Sequence, residues 1–219
     1  MRNYFKILLY LIVLIGYSSS NAGSYDDFFI AIKRDDAAIV LTLLQRGFDG
    51  NTRDPKGVPG LHLAMLEPSP KVVRTLIAWP QVQVDARNAH DETPLMLASL
   101  RGYTETVRLL VERDADINKP GWTPLHYAAT NSHLDIMRLL IERHAYIDAE
   151  APNGNTPLMM AAVYGNASAV KLLLEAGADP LLKNKAGLTA IELAQRMSRN
   201  EAVELIAAFA RAKAPRGSW

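Results

Sequence analysis

From Tyr25 onward the apolar residues fall into short blocks of two alternating kinds, each spaced for one face of a helix. The first kind is narrow and small, as in Leu125, Ala128 and Ala129. The second is broader, as in Ile136, Leu139 and Leu140. The blocks recur with a tripeptide at their start: Thr93, Thr123 and Thr156 each open a Thr-Pro-Leu, and Thr189 opens Thr-Ala-Ile. The spacings are 30, 33 and 33 residues, and a weaker copy, Gly57 to Ala64, sets Leu61 34 residues before Leu95. Self-similarity at this period predicts stacked two-helix repeats, each too small to bury its own apolar face.

The tripeptide is a helix start. A threonine hydroxyl accepts a free amide N–H of the first turn, and proline at the next position has no N–H to leave unpaired. The small alanines of the first helix let its neighbours approach closely. The second helix of each unit ends where the chain must turn left-handed, which Gly47 and Gly177 do easily. Asp114 and His144 hold the equivalent sites and belong to the few residue types that tolerate positive φ.

The segments Gly121 to Ala129 (GWTPLHYAA), Leu139 to Asp148 (LLIERHAYID) and Leu172 to Pro180 (LLLEAGADP) resemble the ankyrin repeat, and the likeness runs over nearly all of Tyr25 to Phe209. It implies an all-α solenoid of about six helix-turn-helix units with β-hairpin fingers. The units fall at about 25–56, 57–90, 91–120, 121–153, 154–186 and 187–210, the first and last as caps, followed by a frayed tail at 211–219. The resemblance also implies a protein partner held on the concave face and fingers, no cofactor and no metal, and a monomer.

Ahead of the repeats, Arg2 and Lys6 precede an apolar run from Ile7 to Tyr17, then Ser18, Ser19, Ser20, Asn21 and Ala22. That order predicts a signal peptide over 1–22, cut after Ala22, and a periplasmic or secreted protein. The run is shorter than the roughly 18 residues of a spanning helix. Loss of Arg2 and Lys6 leaves 22 basic against 23 acidic residues, so no basic footprint for nucleic acid or membrane is expected. There is no cysteine, so the fold is held by packing alone.

Motifs for hydrolysis, nucleotide binding or zinc are missing from the chain, and no enzyme activity is expected. His126 sits in the repeated motif where Met96 and Met159 stand in other copies, so a structural bond within the repeat is expected of it, and of His62. Asp85, Asp116, Asp148 and Asp179 recur near the hairpins, as turn carboxylates do.

Departures from the repeat point to the partner. The finger at Asn118 to Thr123 is three residues short, and Pro59 and Gly60 replace Thr-Pro in the second unit. Family geometry places Glu92, Leu100, Arg101, Trp122, Thr130, Asn131, Asn155, Val163, Tyr164 and Leu188 on the concave side, an apolar and aromatic set for an exposed face. The expected function is a non-enzymatic protein-binding module in the bacterial periplasm, and the resemblance to exported ankyrin proteins implies that it supports an enzyme there. The alternatives are an immunity protein against a toxin, a membrane-tethered scaffold and an enzyme with an unrecognised site.

Overall fold

The computed structural model describes residues 23–213, so the predicted signal peptide and most of the tail lie outside the described residues. Those residues form twelve helices and no strand. They divide into two compact units, one ending at Ala89 and the other starting at His90.

The first unit holds α1 (23–33), α2 (Ala37–Gln45), α3 (Gly60–Leu66) and α4 (Pro70–Ala78). Phe28, Ile32, Val40, Met65, Leu76 and Ile77 are buried among them. Helix α3 starts without a side-chain cap, because Pro59 stands where the other copies carry threonine. Helix α4 ends differently from its counterparts: Trp79 is extended (φ −79°, ψ 119°), the geometry imposed on a residue before proline.

The second unit alternates inner and outer helices. The inner ones are α5 (Pro94–Arg101), α7 (Pro124–Thr130), α9 (Pro157–Val163) and α11 (Ala190–Arg196). The outer ones are α6 (Thr104–Glu112), α8 (Leu134–Glu142), α10 (Ala167–Glu175) and α12 (Asn200–Lys213). Successive inner helices pack side by side, each backed by the outer helix of its own repeat. Alanines make this close approach possible: Ala98, Ala128, Ala129, Ala161 and Ala162 are at most 1% exposed.

Every inner helix of this unit starts on a threonine. Thr93 and Thr156 accept the N–H of Met96 and Met159, and Thr189 that of Glu192. The expected left-handed helix ends are present: φ is 88° at Gly47, 106° at Gly177, 59° at Asp114 and 65° at His144. The turn carboxylates serve as expected, Asp116 accepting from the Asn118 N–H at 2.8 Å and Asp148 from the Asp179 N–H at 3.1 Å.

The fingers are tighter than β-hairpins. In each of three, one bond crosses the finger, from the Asp54 N–H to the Val58 carbonyl, from Ala151 to Asn155 and from Asn184 to Leu188, all at 2.9 Å, and a turn bond runs back from the Gly57, Gly154 and Gly187 N–H to the Asp54, Ala151 and Asn184 carbonyls. With so few residues between the turn and the next helix start, pairing stops there in the two later fingers, while in the first the Gly60 N–H adds a second rung to the Thr52 carbonyl at 3.1 Å. Among the described residues the only β pairing is an isolated bridge between Arg53 and Pro59. In the truncated finger Lys119 fills the gap instead; its side chain is 4% exposed, and its ammonium meets Asp91 and the Pro120 carbonyl.

Candidate protein-binding face

The threonine caps fix which positions share the inner-helix face of the second unit. Residues four, seven and eight positions after each threonine share one helix face, and Trp122, just before the Thr123 cap, lines a hollow with Tyr127 and Thr130 of that face. At the centre of this face Trp122 is half-buried. Its ring centroid lies 5.3 Å from that of His126 at 76°, and 6.3 Å from that of Tyr127 at 72°. These rings, with Leu100, Thr130 and Met160, line an apolar hollow of about 180 Å³.

His126 is completely buried and uses both ring nitrogens. The Thr123 N–H donates to Nδ1 at 3.1 Å, so Nδ1 is an acceptor. The ring proton therefore sits on Nε2, 2.9 Å from the Asn155 carbonyl. Burial lowers its pKa to about 4, against the smaller upward pull of the bonds to the Asn155 and Ala149 backbone. At neutral pH it is an uncharged brace between two repeats. In the neighbouring copies the Met96 and Met159 sulfurs take the same threonine N–H at 3.4 and 3.5 Å.

Tyr127 donates its hydroxyl to Glu92 Oε1 at 3.0 Å. Burial, then the Glu92 charge, pushes the phenol pKa above its ordinary range, so Tyr127 stays a hydrogen-bond donor.

Of the residues read from the sequence, Leu100, Trp122 and Thr130 line the hollow together, and Glu92 joins it through Tyr127. Asn131 is exposed at the end of α7, with its amide on the Leu100 carbonyl at 2.8 Å. Arg101 is exposed and does not line the hollow. Asn155 is committed to the fingers: its Oδ1 accepts from Asn184 at 2.8 Å and its carbonyl holds His126. Val163 and Leu188 are half-buried, Tyr164 is 61% exposed, and none of the three reaches the hollow. Sequence reasoning missed Tyr127 and Met160. Both lie four residues after a capping threonine, a position the repeat itself marks.

A larger groove of about 510 Å³ runs between α8 and α10, but Arg138, Glu142, Lys171 and Glu175 line it, as on an ordinary solvated outer face. Among the described residues no group of His, Asp or Glu could hold a metal, and no helix is long and apolar enough to cross a membrane.

A family model described as ankyrin repeats (3 copies) matches residues 28–120, 61–151, 114–184 and 147–214, and the chain belongs to the ankyrin-repeat family. An ankyrin-repeat domain from Acinetobacter baumannii superposes with a TM-score of 0.72 at 27% identity, over 84% of this chain and 97% of that one. A chain from the complex of a predatory endopeptidase with an immunity protein, from Bdellovibrio bacteriovorus, does so with a TM-score of 0.72 at 25% identity, over 83% and 97%. A putative palmitoyltransferase of Danio rerio is 30% identical over 76% of this chain, yet the chain spans only 21% of that relative. It spans 15% of an ankyrin-repeat and SAM-domain protein of Mus musculus. The shared part is the repeat array. Ankyrin repeats are protein–protein interaction modules, and the fold is generally a non-enzymatic scaffold.

Proposed function

We propose that this chain is an exported, non-enzymatic binding module that holds a protein partner on the inner-helix face of its second unit. The carrying observation is the hollow walled by Trp122 and Tyr127, an aromatic, apolar recess on the inner-helix face. Interfaces draw much of their energy from Trp, Tyr and Arg seated in such recesses. The basic, apolar, small-residue order of the first 22 residues supports export to the periplasm of a Gram-negative bacterium. The near-neutral charge supports a protein partner over nucleic acid or a membrane surface.

In this reading the partner is an exported enzyme that the module supports. The likeness to a chain of the endopeptidase–immunity complex favours a second reading, in which the module blocks that enzyme. Affinity capture from the native envelope tests binding, with Trp122→Ser/Tyr164→Ser as the control. Assaying the captured enzyme with and without the module then separates support from blockade. A wild-type chain that captures nothing would sink both readings.

A further inference from the structure

The polar side chains that line the hollow have already made their hydrogen bonds inside the chain. His126 accepts from the Thr123 N–H on one ring nitrogen and donates to the Asn155 carbonyl from the other. The Thr130 hydroxyl donates to the His126 carbonyl at 2.8 Å, the Tyr127 hydroxyl to Glu92 at 3.0 Å, and the Met160 sulfur accepts from the Asn155 amide at 3.7 Å. The exception is the Trp122 indole N–H, which makes no hydrogen bond among the described residues. No acidic or basic side chain belongs to the lining, and His126 is uncharged at neutral pH.

The electrostatic complement of such a lining is an uncharged, apolar group. An ammonium, guanidinium or carboxylate placed here would give up its water for walls that return no opposite charge, and an amide would meet groups whose bonds are already made. Size and ring geometry choose among the apolar side chains. A dry apolar cavity of about 150 Å³ holds a benzene molecule, and this hollow measures about 180 Å³. The Trp122 ring meets those of His126 and Tyr127 edge to face, at 76° and 72°. A further ring that joins such a cluster gains more than its buried area alone supplies. The Met160 thioether favours a ring in the same way, since sulfur is attracted to an aromatic edge. A leucine would fill the space without either gain.

We infer that the partner anchors itself by a phenylalanine side chain, its ring seated in the hollow against Trp122, Tyr127 and Met160. This deepens the binding reading above and rests on it, since it names the side chain the partner must present.

The test uses the full chain and defined probes. Acetyl-phenylalanine amide is titrated against the chain while the Trp122 indole N–H and the Met160 methyl group are followed by NMR, the two signals assigned with Trp122→Phe and Met160→Leu. Acetyl-leucine amide and acetyl-arginine amide are the controls. A saturable shift of both signals is expected with the phenylalanine probe, together with a nuclear Overhauser contact between its ring protons and the Met160 methyl. The leucine probe should bind about three- to tenfold more weakly and the arginine probe at least about tenfold. Thr130→Phe closes the hollow from within and should abolish both shifts with the rest of the spectrum unchanged. If that variant does not fold, the ring-to-methyl contact in the wild-type chain decides alone. No saturable shift, a leucine or arginine probe that binds as tightly, or ring contacts confined to residues outside the hollow would overturn the inference. Capture from the envelope separates this failure from that of the binding reading. A partner held equally by wild type and by folded Thr130→Phe leaves a binding module and removes the phenylalanine anchor, whereas a wild-type chain that captures nothing removes both.

Discussion

A proton on His126 has no place to go. Nδ1 faces the Thr123 N–H at 3.1 Å, another donor, so the imidazolium form would break the bond that starts α7 and leave a charge in a site with no exposure. The folded pKa of about 4 lies below the 6.5 of the unfolded chain. Between these values the unfolded state binds more protons, so the stability tied to His126 is complete above pH 6.5 and is lost as pH falls towards 4. The loss is about 3 kcal/mol. His126→Met copies the residue found in the neighbouring repeats, so urea unfolding of that variant should show a pH dependence flatter by about this amount than wild type. Parallel curves for the two proteins would refute the account. Ser99 is a second residue where a single atom decides. Its hydroxyl is fully buried with no partner, at the position that Ala129 and Ala162 hold in later repeats. Ser99→Ala should stabilise the fold by about 1 kcal/mol, read as a raised urea midpoint at unchanged slope.

Between helices, the quantity that matters is how closely backbones approach. A Cβ on Gly165 would lie 2.7 Å from the Ala129 carbonyl oxygen, 2.8 Å from that of Ala161 and 3.0 Å from the Ala161 Cα. All three are backbone atoms, so α7 and α9 would have to part. Gly165→Ala should therefore cost about 1–3 kcal/mol in chemical denaturation, although alanine is ordinarily the better helix neighbour. Thr156→Ala removes the acceptor for the Met159 N–H and should cost about 1 kcal/mol by the same measurement. The two substitutions also mark what was legible at this scale. Helix starts could be read because Thr-Pro carries its own mechanism, and helix ends because Gly47, Gly177, Asp114 and His144 are the residues that positive φ selects. The finger geometry could not. Whether four or five residues past a turn form a ladder or close on one bond depends on where the next helix begins in space, and only the folded chain shows the single rung at Asn184 and Leu188. The burial of Lys119 was equally hidden, because a deletion in a repeat says that something fills the gap without saying which side chain does.

For the molecule as a whole, the sequence marked a face but not the recess in it. Leu100, Trp122 and Met160 come from three successive repeats, and their meeting depends on the tilt between units, which no spacing encodes. Tyr127 and Met160 directly follow the buried His126 and Met159, and that adjacency to the core hides their place beside the hollow. The structure also divides the two aromatic residues expected to bind. Trp122 packs against the buried His126 ring, so Trp122→Ser should lower stability by about 2 kcal/mol, whereas Tyr164 is 61% exposed and Tyr164→Ser should stay within about 0.5 kcal/mol of wild type. Partner binding should order them the same way, with Trp122→Ser abolishing capture and Tyr164→Ser weakening it. Because the Trp122 variant confounds folding with contact, capture has to be measured well below its melting temperature and set beside Ser99→Ala/Trp122→Ser, in which the expected gain at Ser99 offsets part of the loss. If the double variant regains stability and still fails to capture, Trp122 contacts the partner directly. If capture returns with stability, Trp122 is a packing residue and the binding face lies elsewhere on the repeats.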